Sequence, residues 1–179
     1  MLTITIPARE MFDEKTGTFF TIKGQTLQLE HSLVSISKWE SKWHKAFLSK
    51  DKKTYAETID YIKCMTITQN VASEVYEYIP NSIIKEIDDY ISAPMTATTF
   101  SDNIQQGRKE IPTSEVIYYW MIAQNIPMEC QKWHLNRLLT LIRVCGIKNA
   151  PPKKRSKKDM INQYAALNAA RRQQLNTKG

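Results

Sequence analysis

Two side chains in the C-terminal half of the sequence have the spacing of a partial metal site. Cys130 and His134 are four residues apart, so on a helix they would share one face, as half of a zinc site requires. The remaining ligands would have to come from Cys64, Cys145, His31 or His44, which lie in separate parts of the chain. Because zinc sites are usually built from two tight pairs, we expect Cys130 on the buried side of a helix, with His134 at its margin. No metal and no cofactor is predicted.

The triplet Lys-Trp-His occurs twice, at residues 42–44 and 132–134, in a chain with only three histidines and four tryptophans. Trp43 continues an apolar stripe at helical spacing, and Trp133 is expected to anchor a second helix. Glu40 and His44 are four residues apart and could pair, but an exposed pair of this kind contributes only about 0.3–0.5 kcal/mol. The triplets therefore indicate packing of the helical body.

Covalent catalysis has no recognisable motif in this sequence. The five glycines are not grouped, which excludes the glycine-rich loops that cradle phosphates. No nucleophile elbow and no acid pair on a sharp turn is present, although a cysteine can always meet a histidine in the fold. We predict no catalytic residue and a protein that is not an enzyme.

A basic stretch, "PPKKRSKK", supplies most of the net positive charge of the chain. Residues 1–147 carry 16 basic and 17 acidic side chains, whereas residues 148–179 carry nine basic side chains and one acid. Such a stretch could neutralise phosphates and bind nucleic acid without sequence preference, or it could be a solvated tether. The residues that would contact nucleic acid are Lys153, Lys154, Arg155, Lys157 and Lys158.

The secondary structure that would position the candidate residues begins with predicted strands in residues 1–31. Leu2, Ile4 and Ile6 alternate with threonines and predict a strand that Pro7 ends. The runs "TFFTI" and "TLQLE", separated by residues 23–25, predict a β-hairpin. We expect a small antiparallel sheet of two or three strands.

Residues 32–147 predict a body of five helices. Ser32 is expected to cap the first, and Thr54 with Glu57 forms a capping box at the start of the second. The third covers "PNSIIKEIDDYIS" and the fourth "TSEVIYYWMIAQN". The fifth is expected to open at Pro127 and to end before Gly146. In residues 94–112 the apolar side chains follow neither the spacing of a helix nor that of a strand, so this segment is a candidate contact loop. The predicted fold class is therefore α+β and mostly α-helical.

Residues 148–179 are predicted to form a basic linker and a terminal amphipathic helix, starting near Ser156. Its apolar stripe is narrow: Met160, Ile161, Tyr164 and Leu167. Short helices of this kind need tertiary contact to be stable, so we expect Tyr164 and Leu167 to contact the body of the same chain, a neighbouring copy or a partner chain.

The composition places the chain among ordinary globular proteins. Its 179 residues are 42% hydrophobic, which is sufficient for one core. The longest apolar run, residues 116–123, is too short to cross a membrane, and the N-terminal residues do not predict a signal peptide. Three cysteines without a CxxC pair favour free thiols in a reducing compartment.

Several longer stretches resemble proteins encoded in the tail region of tailed-bacteriophage and prophage genomes. They are "LQLEHSLVSISKWESKWHKAFL", "IDYIKCMTI", "APMTATTFSD", "VIYYWMIAQNIPMECQKWHLNRLLTLIRVCGIKN" and "AALNAARRQQLNTKG". Together they extend over nearly the whole chain, and they are similar to tail assembly chaperones.

This resemblance implies a protein that coats the helical tape-measure protein, keeps it soluble and helps to recruit tail tube subunits. It would act in the cytoplasm of the infected or lysogenic bacterial host, possess no covalent chemistry, and be absent from the finished virion. The basic segment equally suits a structural virion protein near DNA, such as a head–tail connector or minor tail component. A DNA-binding accessory protein remains a third reading.

Overall fold

The computed structural model describes residues 1–14, 17–100, 111–151 and 157–176. It is an α+β protein with a small antiparallel β-structure at the N-terminus and mostly helices after it, as predicted. Contacts divide the chain into two compact units, Met1–Ile147 and Lys148–Gly179. We call the first unit the body and the second the arm.

The N-terminal strands form two antiparallel ladders in one continuous register. β1 (Leu2–Ile6) pairs with β4 (Gln25–Leu29), and β2 (Arg9–Asp13) pairs with β3 (Thr18–Ile22). The ladders are the two halves of a long hairpin, interrupted where Pro7 and Gly24 lie. A side chain at Gly24 would place its Cβ only 2.8 Å from the Ala8 nitrogen, which explains why a glycine occupies the interruption between the two ladders.

The predicted hairpin between "TFFTI" and "TLQLE" is wrong. These runs are β3 and β4, and each pairs with an N-terminal strand instead of with the other. The strand β2 was not predicted, because "REMFD" has no clear alternation.

The first two helices begin where the sequence predicts. In α1 (Leu33–Trp43) the Ser32 hydroxyl accepts a hydrogen bond from the Ser35 nitrogen. In α2 (Tyr55–Met65) Thr54 and Glu57 form the predicted capping box. Phe47 follows α1 and is buried, so the apolar stripe continues beyond the end of the helix.

Two helices follow α2. A short helix, α3 (Ser73–Glu77), was not predicted. α4 (Asn81–Ser92) corresponds to the third predicted helix and buries Ile87 and Tyr90.

The last part of the body differs from the prediction at one helix. α5 (Ser114–Ala123) is the fourth predicted helix. The fifth is divided into a 3-10 helix (Met128–Lys132) and α6 (Leu135–Asn149). Gly146 lies inside α6, so its predicted role as the residue after the helix is wrong. The arm contains α7 (Lys157–Leu175).

The core of the body joins side chains from the hairpin and the helices. Leu27, Leu29, Leu33, Ile36 and Leu138 are fully buried. Trp39 is 1% exposed, and its indole nitrogen donates to the Glu57 carbonyl at 2.9 Å. Among the residues that the structure describes, no helix has the length and apolar character needed to span a membrane.

Candidate functional site

The predicted contact residues of the arm fall partly on α7. Lys153, Lys154 and Arg155 lie outside the described residues. Lys157 and Lys158 form the beginning of α7, and their side chains are also outside the description. Tyr164 and Leu167 are exposed, at 64% and 46%. Met160 and Ile161, the other two members of the predicted apolar stripe, are exposed as well.

The predicted contact loop, residues 94–112, is described at its two ends, with residues 101–110 outside the description. On the first side the Arg143 guanidinium lies over the Phe100 ring, 3.9 Å from its centroid. The Asn136 amide donates to the carbonyls of Ile91 and Ala93, at 3.0 and 2.8 Å. These contacts attach the beginning of the loop to α6.

The suspected metal pair, Cys130 and His134, does not share a helix face. Cys130 belongs to the 3-10 helix, whereas His134 immediately precedes α6. His134 is 6% exposed, so its predicted place at a helix margin is wrong. No group of three or more His, Cys, Asp or Glu side chains within the described ranges is arranged to hold a metal ion.

His134 instead belongs to a buried polar cluster around His31. The two imidazole rings meet edge to face with centroids 5.1 Å apart. The His31 Nδ1 lies 2.5 Å from the Tyr61 hydroxyl, and His31 is only 2% exposed. Burial, with a smaller contribution from His134, lowers the pKa of His31 to about 3. His31 is therefore neutral at physiological pH.

The hydrogen bonds of His134 identify its neutral tautomer. Its Nε2 lies 3.0 Å from the Tyr90 carbonyl, which can only accept, so Nε2 carries the proton. Its Nδ1 accepts from the Asn136 nitrogen at 3.3 Å. A second proton on Nδ1 would remove that acceptor, and burial correspondingly lowers the pKa of His134.

Backbone contacts around the two histidines join distant parts of the body. The Leu135 nitrogen donates to the His31 carbonyl at 2.7 Å, and Ser32 and His134 form an isolated β-bridge. At the edge of the cluster the Tyr90 hydroxyl donates to the Glu30 carboxylate at 2.6 Å, and that carboxylate also pairs with the N-terminal amine. The cluster thus fastens the end of β4 to α2, α4 and α6.

Glu40 is buried, and its carboxylate holds two backbone segments. It accepts from the Phe47 nitrogen at 2.8 Å and from the Ser114 nitrogen, at the start of α5, at 2.7 Å. The ion pair that the spacing of Glu40 and His44 allows is not observed. His44 follows the last residue of α1 in a left-handed conformation with φ 51°, and its side chain is exposed. Glu40 joins α1 to α5 instead.

A second carboxylate, Glu57, joins α2 to the loop after α1. It accepts from the Lys45 Nζ at 2.6 Å and from the Thr54 nitrogen at 2.7 Å. The bond from Lys45 is the main reason that the pKa of Glu57 falls to about 2. The first Lys-Trp-His triplet is anchored nearby, since the Trp43 indole and the Lys42 amine both donate to Asp60.

An open apolar groove lies between α2 and α4, and we call it the α2–α4 groove. Its volume is about 370 Å³. Ile62 and Ile87 form its buried floor, and Ile84 and Ile91 are half-buried beside them. The other lining residues are Thr58, Tyr61, Asn81, Lys85 and Asp88. Sequence reasoning missed this surface, because it depends on the placement of α4 beside α2 and not on a local pattern.

The outer half of the hairpin carries a second exposed apolar surface. Phe12 and Phe19 are cross-strand partners with ring centroids 5.0 Å apart. They are 51% and 75% exposed. Large aromatic side chains exposed as a pair are typical of contact surfaces, and the unpredicted strand β2 is what brings these two together.

The apolar surfaces described above lie on α7, in the α2–α4 groove and on the outer hairpin. Comparison of the chain with protein-family models, with curated proteins and with solved structures finds no match.

Proposed function

We propose that this chain is a tail assembly chaperone of a tailed bacteriophage, which binds the tape-measure protein and assists assembly of the tail tube without covalent chemistry. The observation that carries the proposal is the exposed apolar stripe of α7, with Ile161 66% and Tyr164 64% exposed. A soluble monomer gains nothing from such a stripe, whereas a protein that shields an apolar helix needs one. The resemblance of the quoted sequence stretches to phage tail-module proteins supports the same function.

The contact that we propose is between amphipathic helices. Met160, Tyr164 and Leu167 follow the spacing of one helix face. A tape-measure protein, as a long helical protein, would offer apolar positions at matching intervals. Exposed Phe12 and Phe19 would supply a second apolar contact. The setting would be the cytoplasm of the bacterial host.

Co-expression tests this proposal. The tape-measure protein encoded in the same tail module is produced alone, with this chain, and with the variant Ile161→Asp/Tyr164→Asp. The wild-type chain is expected to move most of the tape-measure protein into the soluble fraction, and the variant to lose that effect. Ile122→Asp is the matched control, because Ile122 is equally exposed at 66% but lies on α5. Equal solubility with and without the wild-type chain would refute the proposal.

The basic arm favours a second candidate function, that of a virion component or accessory protein in contact with DNA. Nine basic side chains and one acid in residues 148–179 would release counterions on binding phosphates. Mass spectrometry of purified virions separates the two, because a chaperone should be missing from them. DNA affinity measured against salt, with the five basic residues at 153–155 and 157–158 changed to alanine, tests the contact itself.

A further inference from the structure

The outer half of the hairpin is a ladder of two strands. Within the described residues, β2 and β3 pair with each other and neither has a strand on its second side. Their extensive contacts with other elements are likewise with each other and not with a helix. A ladder of two strands is only marginally stable by itself, whereas a sheet of three or more strands can be stable. A further strand at one of these edges would therefore stabilise the outer hairpin.

The two edges of this ladder differ in charge. β2 carries the exposed Arg9 and Glu10, and charged side chains on an edge strand oppose pairing with another strand. β3 has the sequence "TFFTI", which contains neither a charged residue nor a proline. The edge of β3 is therefore the one that is suited to accept a further strand.

The same edge of the hairpin is covered farther along, at β4. Residues 65–68 lie against it through a short antiparallel bridge, and the Ile67 nitrogen donates to the Gln28 carbonyl at 2.8 Å. Beyond this cover an open cleft of about 680 Å³ lies beside residues 21–25, with side chains from residues 70–75 on its other side. The cleft leaves space for an extended segment next to the end of β3.

We propose that β3 of a second copy of this chain pairs antiparallel with β3, so that two hairpins form one four-stranded sheet about a twofold axis. The alternating donors and acceptors of an antiparallel edge are complementary to the same edge turned by 180°. The register that pairs the whole strand places Phe20 opposite Phe20 of the second copy. It also brings Gly17 of the second copy beside Lys23, at the cleft.

Charge complementarity selects a second copy as the occupant. The register of β2 and β3 continues to Glu14 and Gly17, which face each other at the turn. Gly17 has no side chain, so Lys23 of one copy can extend across Gly17 of the other copy to Glu14. The span is two strand spacings, about 10 Å, which a lysine and a glutamate side chain bridge together. Lys23 and Glu14 are both exposed, and the twofold axis forms this contact twice.

Pairing at the edges leaves the faces of the sheet open. Phe12 and Phe19, which are exposed on one face, would stay accessible in the dimer. The dimer is therefore compatible with a contact between this aromatic pair and the tape-measure protein. It does not depend on that contact, since it needs no other protein.

Charge reversal in the full chain tests the contact from its two sides. Lys23→Glu places two acids at each contact, and Glu14→Lys places two bases there. Sedimentation velocity over a range of concentrations should show a monomer–dimer equilibrium for the wild type. Each variant should lower the association constant by about tenfold or more, because two cross-strand pairs change from attraction to repulsion. The control Lys50→Glu makes the same change of charge at an exposed position outside the hairpin and should dimerise like the wild type.

The decisive sample is an equimolar mixture of the two charge-reversal variants. In a heterodimer of Lys23→Glu with Glu14→Lys, both contacts again join opposite charges. The mixture should therefore form heterodimers with an association constant close to that of the wild type. In 1 M salt the differences between the variants should disappear through screening, and circular dichroism verifies that each variant is folded.

Three results would overturn the proposal. A wild type that stays monomeric at all concentrations would show that no second copy binds, and would leave the edge of β3 to a strand of another protein. Single variants that dimerise as tightly as the wild type would place the dimer contact on another surface. A mixture that associates no more tightly than its two components would show that Lys23 and Glu14 do not meet.

Discussion

Acidification should destabilise the body through His31, before most carboxylates become protonated. The pKa of His31 is about 3 in the folded protein, whereas a histidine side chain in water has a pKa of 6.5. Below pH 6.5 the imidazole of His31 therefore binds a proton in the unfolded chain but stays unprotonated in the folded chain. The stability that His31 contributes is complete above pH 6.5 and is lost progressively as the pH falls toward 3.

The magnitude follows from these two pKa values. Between pH 7 and pH 5 the loss from His31 alone is about 2 kcal/mol in the free energy of unfolding. His134 acts in the same direction, because burial lowers its pKa too. The stabilising contribution of Glu57 is lost only below the ordinary carboxyl pKa of 4.5. The change in stability between pH 7 and pH 5 therefore reports on the histidines and not on Glu57.

The assay is urea unfolding followed by tryptophan fluorescence at pH 7, 6 and 5. All four tryptophans lie between residues 39 and 133, so the signal reports on the body alone. The variant His31→Asn keeps a polar atom near the position of Nδ1, where Tyr61 makes its hydrogen bond, but cannot titrate. We expect its stability to fall about 2 kcal/mol less than that of the wild type over this interval.

The exposed histidine provides the control for this experiment. His44→Asn also removes one imidazole, but from a side chain in solvent, so it should retain the pH dependence of the wild type. If His31→Asn lost as much stability between pH 7 and pH 5 as the wild type, the assignment of acid sensitivity to the buried cluster would be refuted.

Two further substitutions test the contacts that join the elements of the body. Glu40→Ala removes the acceptor of the Phe47 and Ser114 nitrogens and should cost about 2–5 kcal/mol of unfolding free energy in urea, since two buried donors lose their partner; a loss below 1 kcal/mol would contradict this role. Gly24→Ala forces a methyl group to within 2.8 Å of the Ala8 nitrogen and should lower the free energy of unfolding by about 1–3 kcal/mol. An unchanged melting temperature would show that the interruption between the two ladders of the hairpin tolerates a side chain.

The parts of the fold that depend on neighbouring residues were predictable from the sequence. Ser32, Thr54 and Glu57 cap their helices through contacts within three residues, so the sequence alone indicates where α1 and α2 begin. The periodic apolar residues also identified α4 and α5. These signals are local, and the α+β class followed from them.

The parts that were mispredicted depend on contacts between distant residues. The register of the hairpin pairs Leu2 with Leu29, and no local pattern distinguishes that pairing from one between adjacent strands. The helix predicted from Pro127 is interrupted before α6, where the Leu135 nitrogen donates to the carbonyl of His31, about a hundred residues earlier. The groove likewise exists only because α4 lies beside α2.

The central claim is that α7 binds the tape-measure protein, and co-purification tests it most directly. Tagged wild-type chain, Ile161→Asp/Tyr164→Asp and Ile122→Asp are each co-expressed with the tape-measure protein, and the amount of partner retained per chain is measured. We expect equal retention by the wild type and by Ile122→Asp, and loss of most of the partner from the α7 variant. Retention of the tape-measure protein by the α7 variant at the wild-type level, or by none of the three, would contradict the claim.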